Sequence, residues 1–304
     1  MGVIWSIPQD LVTSVGNWMY PVELDKEETY YWNRNTQIKW DKEGADELLR
    51  EIKERLSPFK EKKQTLNILV IGPTSCGKSS LCNGFKTTLN QKKEVVQFFR
   101  VGRREDESYT KNFQFTTLGD CVTLYDMAGV FESRHIKTED ILSIIQGRVK
   151  FTGKIDDFMN PTPPATSEAQ NNVSCLVLVL KPGMELPVHL KRIIEQIHKT
   201  AGEGELGYHV ILTHLDEVDH CFKDTQNLNK LFSSPVVQKK VEYISKQVGT
   251  PPNTISFVRN YCYETQSDIN SDVLFLHAFK QIINAACEQE EKRAEFAAAA
   301  AAQD

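Results

Sequence analysis

The fold is decided by Leu66-Asn67-Ile68-Leu69-Val70-Ile71 and the residues that follow it, Gly72-Pro73-Thr74-Ser75-Cys76-Gly77-Lys78-Ser79-Ser80-Leu81. The first six residues are rich in Leu, Ile and Val and carry no charge, so they read as a strand buried on both faces. Gly72–Ser79 then matches GxxxxGK[ST] at every fixed position. Ser79–Leu89 reads as a helix. Strand, glycine-rich loop and helix in this order build a phosphate cradle. The glycines let the main chain wrap phosphate oxygens. The amides of Gly77, Lys78, Ser79 and Ser80 are expected to form an anion hole at the helix N-terminus. Lys78 brings positive charge to the β- and γ-phosphates, and the Ser79 hydroxyl suits Mg²⁺. Pro73, Thr74, Ser75 and Cys76 complete the loop. Cys76 sits at a helix N-terminus two residues from Lys78, which favours thiolate; the alternative is a small loop filler.

Outward from this unit the chain alternates strands and helices. Asn112–Leu118 and Cys121–Tyr125 flank Gly119-Asp120, which reads as a hairpin with a two-residue turn. Val173–Leu180 is a second buried strand, and Tyr208–Thr213 and Thr254–Val258 are shorter ones. Leu190, Ile193, Ile194 and Ile197 share one helical face, as do Phe275, Phe279, Ile282 and Ile283. The expected fold class is α/β: a doubly wound, mostly parallel sheet with one antiparallel hairpin, of the P-loop NTPase, G-domain type. This domain is placed at 64–288. Residues 41–63 form an amphipathic lead-in helix through Leu48, Leu49, Ile52 and Leu56, expected to break at Pro58. Residues 1–40 form an aromatic-rich extension that includes Trp5, Trp18, Trp32 and Trp40. Its spacing is close to that of a WW module but one residue short; a hairpin or cap on the main domain is the other reading. Residues 150–172, with Pro161, Pro163 and Pro164, read as a surface loop. Residues 289–304 form an alanine-rich tail.

The chain has 304 residues, of which 40% are hydrophobic and 25% charged, as in ordinary globular domains. A net charge of −5 gives no reason to expect nucleic-acid binding, which needs a basic face. No apolar run approaches the ~20 residues of a membrane span. The start, Met1–Asp10, lacks the pattern of a signal peptide, although Gly2 to Ser6 fits the N-myristoylation motif. Seven cysteines without CxxC spacing argue against a disulfide framework or zinc module. A cytoplasmic setting is expected.

Two further motifs point to a nucleotide, and the second favours guanine, with adenine or a plain polar loop as the alternatives. Asp126-Met127-Ala128-Gly129 ends a strand. Asp126 can hold the Mg²⁺ shell, and the Gly129 amide can meet a γ-phosphate. Thr213-His214-Leu215-Asp216 resembles the [NT]KxD motif, with His214 in place of lysine. The Asp216 carboxylate can accept from both N1–H and the exocyclic amine of guanine, a donor pair that adenine lacks.

GPTSCGKSS, DMAG, THLD and Val258-Arg259-Asn260-Tyr261 fall in the order of a translation-factor-type G domain. More closely, the sequence resembles the interferon-induced protein 44 and 44-like family over about 40–290. That likeness is carried by Trp40–Glu43, ILSIIQGRV at 141–149, HVILTHLDEVD at 209–219 and the VRNY segment. The histidine also resembles that of chloroplast import-receptor GTPases. The resemblance implies a Ras-like GTP-binding fold, a cytoplasmic location and induction in antiviral responses. It also implies that Asn260 lies in the last guanine-contacting loop.

GTP hydrolysis needs a positioned water and charge neutralisation. Val130 stands where small GTPases carry glutamine, so turnover is expected to be slow. Lys78 and Thr110 are the expected catalytic residues, with Thr110 also reaching Mg²⁺ from switch I at 94–111; Ser108 is the second choice there. Arg103 and Arg104 could supply a charge in cis, or simply be solvated. The expected function is a Mg²⁺-dependent GTP/GDP switch acting on a protein effector or through a nucleotide-dependent homodimer. The alternatives are a pseudo-GTPase scaffold and, third, a P-loop small-molecule kinase.

Overall fold

A computed structural model describes residues 38–99, 114–127, 138–147, 172–200 and 206–302. Six strands make a single sheet: β1 (Leu66–Ile71), β2 (Gln114–Leu118), β3 (Val122–Asp126), β4 (Val173–Leu180), β5 (Gly207–Leu212) and β6 (Ile255–Phe257). Their order is β2-β3-β1-β4-β5-β6. Only β2 runs antiparallel, against β3; every other pair is parallel.

Alternation along the strands feeds two cores. Ile68 and Val70 of β1 face one side, with Val177 and Val179 of β4 and Ile211 of β5. Leu69 and Ile71 face the other, with Leu176, Leu178, Val210 and Leu212. Both sets are wholly buried. Helices α1 (Lys42–Glu61), α2 (Lys78–Leu89) and α7 (Ile269–Ala301) cover the first side. Helices α3 (Thr138–Ile145), α4 (Val188–Thr200) and α6 (Pro235–Val248) cover the second. A one-turn helix, α5 (Leu215–Val218), follows β5. The sheet is therefore doubly wound, as the sequence predicts. The buried faces of α4 and α7 are those read from Leu190–Ile197 and Phe275–Ile283.

Two readings need correction. Pro58 does not end α1, which runs on to Glu61. Proline forfeits one backbone hydrogen bond, but the added turn keeps Phe59 buried in the core and lets Lys62 N–H donate to Pro58 O. The hairpin loop holds three residues, because Leu118 pairs with Val122 and leaves Gly119, Asp120 and Cys121 outside the ladder. Gly119 takes φ 64°, the left-handed bend that a loop of this length uses. At the end of the domain, α7 runs on into the alanine-rich stretch without a break. Its late residues are tied back to the domain: the Arg55 guanidinium donates to both Glu291 carboxylate oxygens at 2.6 and 2.9 Å, and Arg293 donates to Val173 O at 2.9 Å.

The packing between α2 and α7 is close. A Cβ on Gly84 would lie 2.2 Å from the Phe275 ring, so only glycine fits there. Phe275 stands edge-on to Phe85 at 5.8 Å. This contact fixes the helix that begins at the glycine-rich loop. Residues 1–37, with the aromatic extension, and most of the 150–172 loop lie outside the described residues.

Candidate nucleotide-binding site

The chain leaves β1 for α2 at the point where the sheet order reverses, with β3 on one side of β1 and β4 on the other. Crevices at such switch points are where open α/β sheets bind ligands. Gly77 turns the chain into α2 with φ 87°, a left-handed conformation that glycine adopts without strain. The first amides of α2 have no intrahelical acceptor.

Lys78 is buried, and its Nζ lies inside the loop. It donates to Gly72 O at 2.9 Å and Pro73 O at 2.6 Å, with Cys76 Sγ at 3.8 Å. The ammonium thus meets neutral acceptors that an anionic oxygen would outcompete. Ser79 Oγ donates to Asp126 Oδ2 at 2.6 Å across the β1–β3 pair. Asp126 is wholly buried. Among the described residues its Oδ1 has no hydrogen-bond partner. Burial pushes its carboxyl above the usual range, against the pull of Lys78 and Ser79. A buried carboxylate oxygen without a partner beside a hydroxyl fits a hard cation that takes oxygen ligands. No group of three His, Cys, Asp or Glu side chains among the described residues could hold a metal alone. Mg²⁺ bound with few protein ligands, the rest being water and phosphate, agrees with that set.

The β5 and β6 ends close over the loop. Thr213 Oγ1 donates to Cys76 O at 2.7 Å. His214 Nδ1 lies 2.8 Å from the same Thr213 oxygen. The single hydroxyl proton is engaged at Cys76, so Nδ1 carries the proton that bonds back to Thr213. Asn260 Nδ2 donates to Gly77 O at 3.1 Å, and its buried Oδ1 has no partner among the described residues. A Cβ on Gly77 would sit 2.4 Å from Asn260 Nδ2 and 3.6 Å from His214 Cε1. The half-buried Asp216 stands in α5 immediately beyond.

The fold therefore gathers Gly72, Pro73, Thr74, Ser75, Cys76, Gly77, Lys78, Ser79, Ser80, Asp126, Thr213, His214, Asp216 and Asn260 at one end of the sheet. Thr110 and Gly129 lie outside the described residues, as do Ser108, Arg103, Arg104 and Val130. Of the two readings of Cys76, the structure favours the small loop filler. The side chain is wholly buried, and desolvation raises its thiol above the ordinary value despite Lys78.

Sequence reading missed Asn83. This buried residue of α2 donates to Phe99 O at 2.9 Å and accepts from Phe99 N–H at 2.8 Å. It holds both backbone groups of the residue that leads toward 100–113. An asparagine on the buried side of a helix, next to Leu81 and Phe85, is the signal that marks it.

No protein-family model matches the chain. Interferon-induced protein 44-like of Homo sapiens is 23% identical over 265 residues, 81% of this chain and 56% of that protein. Interferon-induced protein 44 of Mus musculus is 26% identical over 250 residues, 76% of this chain and 57% of that protein. Interferon-induced protein 44 of Homo sapiens is 23% identical over 248 residues. The chain thus spans little more than half the length of the curated relatives it matches. Among solved structures, a dimerization-deficient mutant of Toc33 from Arabidopsis thaliana aligns with a TM-score of 0.45 and 16% identity, covering 80% of this chain and 93% of that one. Over most of its length the chain is thus similar to the interferon-induced protein 44 and 44-like proteins.

Proposed function

We propose that the chain binds GTP and GDP with Mg²⁺ and acts as a slow guanine-nucleotide switch. The observation that carries this reading is the convergence of three ties on one loop. Thr213 reaches Cys76 O, Asn260 reaches Gly77 O, and Ser79 reaches Asp126. In this reading the base side of the nucleotide lies at His214, Asp216 and Asn260, and the bracing of the phosphate loop from the β5 and β6 ends supports it. Gly72–Ser80 take the phosphates, with Lys78 neutralising charge as they bind. Ser79 and Asp126 hold Mg²⁺, joined by Thr110; when bound, the ion neutralises charge on the β- and γ-phosphate oxygens. Gly129 offers its amide to the γ-phosphate, and Lys78 and Thr110 support hydrolysis. Val130 in place of glutamine keeps turnover slow.

The G domain of this proposal covers 64–288, with the 41–63 helix as its lead-in, the 1–40 extension before it and the 289–304 tail after it. Residues 100–111 and 127–140 respond to the nucleotide and address an effector or a second copy of the chain. The named relatives suggest an interferon-induced, antiviral setting, in the cytoplasm. No described helix is long and apolar enough to cross a membrane.

The test is calorimetric titration of nucleotide-stripped protein with GTP, GDP and ATP, with and without Mg²⁺. Guanine-selective, Mg²⁺-sensitive binding that Lys78→Ala and Asp216→Ala abolish is expected. ATP bound better than GTP would overturn the reading.

A further inference from the structure

The loop after β6 carries Asn260, and the next residue anchors it. Tyr261 is buried, and its ring lies nearly parallel to Phe275 of α7, centroids 5.6 Å apart and planes 28° apart. Its hydroxyl donates to Asp272 Oδ1 at 2.8 Å and accepts from Asp268 N–H at 3.2 Å. Thr88, at the end of α2, donates to the same Asp272 oxygen at 2.8 Å. One carboxylate oxygen therefore joins the far end of the phosphate-loop helix to the residue beside Asn260. Farther along, Ser267 N–H donates to Lys93 O at 2.7 Å and Val95 N–H to Thr265 O at 3.0 Å, so the loop is held from outside as well.

We infer that Tyr261 and Asp272 are positioning residues for base recognition: through them Asn260 is held against Gly77 O, with its buried Oδ1 turned toward the nucleotide. The inference rests on the guanine-nucleotide reading of this site. The physical reason is geometric. Asn260 meets the phosphate loop through a single hydrogen bond, and a side chain so held keeps its place only if its backbone is fixed. The Tyr261 hydroxyl fixes it, because the ring stack alone allows sliding. Asp272 accepts two hydrogen bonds at one oxygen, so it ties the loop and α2 to each other.

Tyr261→Phe keeps the stack and removes only the hydroxyl. GTP affinity is expected to fall about tenfold, the usual weight of one hydrogen bond to a charged acceptor. Affinity for inorganic tripolyphosphate, which meets only the phosphate loop, is expected to stay unchanged. Asp272→Asn retains an acceptor oxygen and is expected to keep most of the GTP affinity, whereas Asp272→Leu loses it. Equal loss of GTP and tripolyphosphate in Tyr261→Phe, or wild-type GTP affinity, overturns the inference. Hydrogen exchange over 258–267 in nucleotide-free protein tests the anchoring without ligand: Tyr261→Phe should exchange faster there, and unchanged exchange overturns the anchoring. A wild-type chain that binds tripolyphosphate and GTP equally, with no guanine preference, removes the base-binding reading itself and the inference with it, even if exchange responds as expected.

Discussion

Thr213 Oγ1 donates to Cys76 O at 2.7 Å, joining residues 137 positions apart in sequence. Both atoms are buried, so the bond works without competition from water. It makes the end of β5 and the phosphate loop one body. Thr213→Val removes the hydroxyl at nearly constant shape and leaves a buried carbonyl short of its partner. The cost is expected to be about 1–3 kcal/mol of stability. GTP affinity should fall with it, and Thr213→Ser should restore both. Thermal denaturation and nucleotide titration of the two variants check this. A valine variant as stable and as tight-binding as wild type would sink the idea.

Gly77 is the second tight point of the site. Its left-handed φ costs an L-residue about 1–2 kcal/mol, and an alanine Cβ would press on Asn260 Nδ2 at 2.4 Å. Gly77→Ala should lose nucleotide binding while circular dichroism shows the sheet and helices intact. Retained binding would mean that Asn260 does not sit beside the ligand.

Asp126 carries a trade between stability and function. Its buried carboxyl titrates above the ordinary range, chiefly through desolvation. The raised value means that the nucleotide-free fold binds more protons than the unfolded chain between the two pKa values. Its charge therefore destabilises the fold as pH rises through that window and thereafter. Asp126→Asn should raise, or leave unchanged, the melting temperature without nucleotide, and remove the gain in GTP affinity on adding Mg²⁺. A variant whose GTP affinity still rises with Mg²⁺ would dismiss Asp126 as part of the metal shell.

His209 and His277 make stability fall with acid. His209 Nε2 lies 2.8 Å from Ser256 Oγ, and burial holds the ring down at about 3. His277 is held down to about 4, again by burial first and Lys280 second. The unfolded chain binds these protons near pH 6.5, so the fold loses stability as pH drops from there toward the folded values. Each ring contributes about 2 kcal/mol of loss between pH 7 and 5. Urea unfolding at both pH values should show it, and His209→Gln should flatten the difference by about its share.

Cys76 should resist maleimide in the native protein, with or without GTP, because its thiol is buried and protonated. Cys262, the exposed cysteine, should label first. Mass mapping of the adducts tells the two apart. Rapid native labelling at Cys76 would show that the loop opens far more than its packing suggests.

Much of this architecture is legible in local sequence. Leu66–Ile71 and Val173–Leu180 are buried on both faces, so their unbroken apolar runs announce strands without help from neighbours. The phosphate loop is legible because its conformation comes from its own glycines, lysine and serine. Reading failed at α1 beyond Pro58, and it left open whether the Ala297–Ala301 stretch extends a helix, which it does. There local propensity competes with packing. Phe59 gains a place in the core, and the residues just before the alanines gain ties to Arg55 and Val173.

The sequence alone determined the order of the strands, the helices that follow the phosphate loop and close the domain, the phosphate loop itself and the residue types at the base-side motifs, since each is encoded within a few neighbouring positions. The tertiary structure decided what no window of sequence contains. It put Thr213 on Cys76, Asn260 on Gly77, and Tyr261 and Thr88 on one oxygen of Asp272. It also decided between the two readings of Cys76, because a thiol's charge depends on how much water reaches it, and burial is a property of the whole fold.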